Sequence, residues 1–186
     1  KKRNFVIETK EINIKFSFIL SIIFSIIFGI ILSLILLVIV LKLGIYRKQY
    51  FALDCYLMFF SLIVNIILHE LIHALTYVII CKGKFKDIEF GENLKKGVAY
   101  CYIKKDIPIK KYRLITLMPL YILLPTALIL YFFILPGFST SIFLAISFIG
   151  PIYDIFYFLK LRKYKDNYLI RETPEQTKLY VINPTG

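Results

Sequence analysis

The chain is poor in the residues that usually build metal and redox sites. It holds 2 histidines and 3 cysteines in 186 residues, and no tryptophan. Cys55, Cys81 and Cys101 are an odd set without paired spacing, which argues against a disulfide framework. Two histidines exclude a three-histidine metal site. Acidic residues are also few, 12 against 24 Lys and Arg. There is no internal repeat and no low-complexity tract. Lys1, Lys2 and Arg3 are basic, but no small-residue cleavage site follows the first apolar run, which therefore reads as an anchor that stays.

What is abundant is apolar. The chain is 59% hydrophobic and 17% aromatic, with a mean hydropathy of +0.73. Soluble domains are nearer half apolar. Four runs reach the roughly 20 residues needed to cross a bilayer. They cover about 16–41, 56–81, 114–135 and 138–159. Only the turn at Pro136 and Gly137 separates the last two, which predicts a tight antiparallel pair. The expected fold is an all-α, multi-pass integral cell-membrane protein, one domain over 1–186.

The formal net charge is +12. The basic residues lie between apolar runs, so they indicate orientation in a lipid bilayer rather than nucleic-acid binding. Residues 1–15 hold 5 of them, 42–55 hold 3, 82–113 hold 10 and the tail from Lys160 holds 6. The positive-inside rule puts both termini, the 82–113 loop and the 160–186 tail in the cytoplasm. Two segments look folded outside the bilayer. Phe85–Phe90 and Val98–Ile103 alternate apolar and polar residues around the turn-like GENLKKG, as in a β-hairpin. YLIRETPEQTKLYVI reads as a second, shorter hairpin around Thr173 to Thr177.

Both histidines lie within NIILHELIHALTYVIICKGK, inside the second run. On a helix, His69 and His73 project from one face one turn apart and can grip one Zn²⁺. Glu70 can reach the fourth coordination position, take a proton from water there and pass it to a leaving amine. Ionisable groups at membrane depth usually mark function. The same two histidines could instead be interhelical hydrogen-bonding residues in a packed bundle.

A catalytic zinc needs a third protein ligand. Asp154, in FIGPIYDIFYF, is the acidic residue besides Glu70 that falls within a run. At about 1.5 Å per residue, His73 lies roughly 13 Å, His69 roughly 19 Å and Asp154 roughly 9 Å below the cytoplasmic ends of their spans. The rival third ligands are Glu89 and Glu92, 16 and 19 residues after His73. They sit in the loop, which would have to fold back into the bilayer. Asn65, one turn before His69, offers a polar contact or a satisfied buried amide.

At this point the chain resembles a family of small bacterial membrane proteins described as zincin peptidases, related to the site-2 protease class. The matching elements are His69-Glu70-Leu71-Ile72-His73, Gly97-Val98-Ala99-Tyr100, Pro119, Gly150 to Asp154, and the tail through Tyr180. Tyr153 stands where the family pattern has glycine, and Ile155 follows the aspartate. The resemblance implies a zinc-dependent intramembrane metallopeptidase acting on a membrane-protein or peptide substrate. It also implies that the 86–103 hairpin could offer a strand edge to that substrate; an amphipathic loop lying on the membrane fits the same residues. Two other functions fit parts of the pattern, a non-catalytic zinc-binding scaffold or sensor, and a small transporter subunit. Glu70 favours the enzyme, because a structural zinc site gains nothing from it.

Overall fold

The apolar runs become long helices because they carry little that breaks them. The computed structural model describes residues 9–13, 51–93, 98–134, 138–173 and 178–183, with scattered positions from 23 to 44. The expected span at about 16–41 therefore lies largely outside the described residues, as does the Pro136-Gly137 turn.

Helix α1 covers Phe51–Cys81 and contains neither proline nor glycine. It stops where Lys82 turns to a positive φ of 52°, a left-handed conformation that ends helices. Gly83 follows, and a Cβ there would overlap the ring of Tyr77. Helix α2, Ile109–Ile129, starts directly after Pro108 and continues as a π-helical turn over Leu130–Ile134. It carries Pro119 and Pro125 inside. Helix α3 covers Phe138–Leu161 and carries Pro151 inside.

Among the described residues, six strands accompany the helices, so the fold is mixed helix and sheet, not all-α as the apolar runs suggested. They are β1 (Thr9–Asn13), β2 (Ile88–Asn93), β3 (Val98–Ile103), β4 (Ile107–Pro108), β5 (Leu169–Glu172) and β6 (Lys178–Ile182). The expected loop hairpin is β2–β3, with Ile88 opposite Ile103. The expected tail hairpin is β5–β6. It is no isolated hairpin, however. It lies at the centre of a four-stranded antiparallel sheet ordered β1-β6-β5-β4. Of the two outer strands, β1 is too polar and β4 too short to announce itself. Thr9–Asn13 reads TKEIN and Ile107–Pro108 is two residues long.

Contacts divide the chain into two compact units. One comprises 1–17, 70–118 and 155–186 and holds both sheets. Ile103, Ile107, Ile109, Ile115, Ile170 and Leu179 are buried in it. Arg113 fastens it by donating to Asp166 and to the carbonyls of Leu161 and Tyr164, each at 2.6 Å. The other comprises 18–69 and 119–154. Its core gathers Ala127 and Tyr131 with Phe143 and Leu144 of α3.

Two helices are long and apolar enough to cross a membrane among the described residues, with spans at Phe59–Cys81 and Ile109–Phe133. Phe59, Phe60, Ile63 and Ile67 of α1 are each more than half exposed. Such a surface suits lipid, where helices associate by packing and buried hydrogen bonds rather than by apolar transfer from water.

Candidate metal centre

Helix α1 presents Asn65, His69 and His73 at intervals of four residues, and therefore along one face. Asn65 and His69 are buried. Asn65 Nδ2 donates to Ser147 Oγ of α3 at 2.6 Å, and Ser147 Oγ donates to the carbonyl of Phe143 at 2.8 Å. Asn65 is thus a satisfied buried amide. Seven residues after Ser147, two helical turns along, Asp154 brings Oδ2 to 3.0 Å from His69 Nε2. Gly150 lies between them on α3. A Cβ there would meet His69 Nδ1 at 3.1 Å and Cε1 at 3.3 Å, so the imidazole rests close against a position where any added side chain is tight.

His73 is set by backbone. Its Nδ1 lies 3.0 Å from the carbonyl oxygen of Ile115 in α2. A carbonyl only accepts, so Nδ1 carries the proton and Nε2 keeps its lone pair in the neutral ring. The reason this carbonyl is available is in the sequence. Its helical donor would be the N–H of residue 119, and residue 119 is proline.

One ligand atom from each of His69, His73 and Asp154 lies within 4.8 Å of the others. Among the described residues the structure thus brings together the three residues that sequence reasoning favoured as ligands. Glu89 is directed elsewhere. It pairs with Lys104 at 3.1 Å on a half-exposed face of the hairpin. The side chain of Glu92 lies outside the described residues. Two imidazoles and a carboxylate are a donor set that suits Zn²⁺. His73 already shows the second contact typical of a ligating histidine, an N–H donated to a backbone carbonyl. The residues present therefore fit the metal.

Glu70, next to His69, is half-buried, and its charge reaches Cys101 of β3 and Glu172 of β5. Burial first, then Glu70 and Glu172, push the Cys101 thiol far above its ordinary range. Such surroundings favour the protonated thiol over the thiolate. Asp87 closes the base of the hairpin. It accepts from Lys105 Nζ at 2.9 Å, from the Lys84 N–H at 3.1 Å and from Tyr77 Oη at 3.3 Å. The Lys105 contact leads in holding its carboxyl below the usual range.

Sequence reasoning missed Glu172. Its Oε2 accepts from the Ile103 N–H at 2.8 Å and its Oε1 from Tyr112 Oη at 2.7 Å. Burial is the main cause that raises its carboxyl to about 7. A signal was present. In the strand LIRE, Glu172 is two residues from the buried Ile170 and so shares its inward face.

Residues 62–169 match a family model described as "Putative zincin peptidase". No curated protein and no solved structure matches the chain.

Proposed function

The chain belongs to the family described as "Putative zincin peptidase", and we propose that it is a zinc metalloprotease that hydrolyses peptide bonds of a membrane-associated protein near the cytoplasmic face of the membrane. The observation that carries this reading is the convergence of His69, His73 and Asp154 within 4.8 Å, with Glu70 beside them on the same helix.

His69, His73 and Asp154 would hold the ion. When bound, zinc supplies a Lewis acid that polarises a scissile carbonyl and makes water easier to ionise. The carboxylate of Glu70 takes the proton of the attacking water and delivers it to the amide nitrogen as the C–N bond breaks. The Ile115 carbonyl keeps the His73 tautomer fixed throughout. Asn65 and Ser147 tie α1 to α3 one turn before the first ligand.

The hairpin supports a mode of substrate entry. The Lys104 N–H donates to the carbonyl of Asp87, the residue just before β2, and the Ile103 N–H points away, to Glu172. By alternation, the backbone groups of Ala99 also face away from β2. An extended peptide could add there as a further strand. Ala99→Pro should then stop cleavage with zinc content intact, and undiminished cleavage would sink the idea. The pairing of β1 with β6 puts the residues before the first apolar run and after the last into one sheet. That supports an even number of crossings, with both ends on one side.

The test is to compare new N-termini in membrane proteins from cells producing wild type or Glu70→Gln. Fragments that appear with wild type and vanish with Glu70→Gln support the protease. Identical fragment sets would leave a non-catalytic zinc scaffold as the better reading.

A further inference from the structure

We propose that Glu172 is a positioning residue for the metal ligand His73, acting through Tyr112 and the turn of α2 that ends at Ile115. The inference rests on the zinc reading above and extends it to a residue outside the 62–169 match.

The argument follows a chain of contacts. Glu172 projects from β5, one of the two central strands of the four-stranded sheet. Its carboxylate grips two different elements at once, the end of β3 through the Ile103 N–H and α2 through Tyr112 Oη. Both contacts are short and both are made to a buried or half-buried partner. Tyr112 lies three residues before Ile115, on the same helical turn. Ile115 presents the carbonyl that receives His73 Nδ1–H. Thr116 braces that turn as well, donating its hydroxyl to the Tyr112 carbonyl at 2.9 Å.

The place of Tyr112 in α2 therefore sets where the Ile115 carbonyl sits, and that carbonyl sets the orientation of the His73 ring. A metal ligand held by a carbonyl is only as well aimed as the carbonyl itself. The direct outer partner of a metal ligand, here the Ile115 carbonyl, is typically worth 10–100-fold in metal affinity. A simpler role is available to Glu172, that of tying sheet to helix without regard to the metal. The two roles separate in the measurement, since the simpler one moves stability alone.

The experiment uses full-length protein in detergent. Zinc affinity is measured by competition with a chromophoric chelator for wild type, Glu172→Ala, Tyr112→Phe and Arg171→Gln. The visible spectrum of the cobalt-substituted forms reports ligand geometry. Arg171 is the control. It is the neighbour of Glu172 on β5, but its guanidinium pairs with Asp106 at 2.7 Å on an exposed face. Glu172→Ala should weaken zinc binding at least tenfold and Tyr112→Phe several-fold, each with shifted cobalt bands. Arg171→Gln should match wild type. If Glu172→Ala does not fold, Tyr112→Phe decides, because it removes a single hydroxyl.

Wild-type affinity and unshifted cobalt bands in both Glu172→Ala and Tyr112→Phe overturn the inference while leaving the zinc site standing. A wild type that binds neither metal overturns the zinc reading itself, and the inference with it. The two failures are thus told apart.

Discussion

His73 Nδ1 lies 3.0 Å from the carbonyl oxygen of Ile115, and Pro119 lies four residues beyond that carbonyl. The proline removes the one backbone donor that would ordinarily claim the oxygen. Pro119→Ala restores that donor. It should raise the intrinsic stability of α2, since proline costs a helix interior about 3 kcal/mol. It should also lower zinc affinity several-fold, because His73 must now share its acceptor. Thermal melting and chelator competition on the same preparation read both. An unchanged affinity would show that the carbonyl serves the two donors without loss.

Gly150 leaves room for His69. Gly150→Ala puts a methyl group about 3 Å from an imidazole already held on its other side by Asp154. Zinc affinity should fall about tenfold, and Gly150→Val should lose the metal. Elemental analysis with chelator competition checks this. Full affinity in Gly150→Ala would mean the ring moves aside freely.

Asn65 and Ser147 form a buried polar pair, with Asn65 2% and Ser147 0% exposed. Ser147→Ala strands the Asn65 amide and should cost about 1–3 kcal/mol. Replacing both, as Asn65→Leu with Ser147→Ala, should cost less than the two single changes added together. Denaturation in detergent measures the three variants. Simple additivity would show that the two side chains do not depend on each other.

Glu172 makes stability depend on pH. Its carboxyl is raised to about 7 in the fold, chiefly by burial and also by Glu70, against the hydrogen bonds from Ile103 and Tyr112 and the charge of His73. The unfolded chain releases that proton near about 4.3. The folded state therefore binds a proton that the unfolded state has lost, and stability falls as pH rises through this window. Melting of metal-free protein should drop between about pH 5 and about pH 7.5. Glu172→Gln, which does not titrate, should show a shallower fall. Equal slopes in the two proteins would contradict the assignment.

Much of the site was legible because its chemistry is local. The shared face of His69 and His73, four residues apart, follows from about 3.6 residues per helical turn, and Asp154 stood out as a charge in an apolar run. The hairpin over Ile88–Ile103 was legible from alternation. The rest depends on partners far away in sequence. β1 pairs with β6, 169 residues from Thr9 to Lys178, and nothing in TKEIN points to that strand. Glu172 looked like one more charge in a polar tail. Its meaning comes from Ile103 and Tyr112, 69 and 60 residues away. Pro119 was visible, but its consequence needed the position of His73.

The most direct measurement is the metal content of purified wild type, Glu70→Gln and Asp154→Ala, prepared without chelators. About one zinc per chain in wild type and in Glu70→Gln, with loss in Asp154→Ala, is the result expected of a site in which Asp154 is a ligand and Glu70 handles protons. No zinc in the wild type, or full zinc in Asp154→Ala, would contradict it.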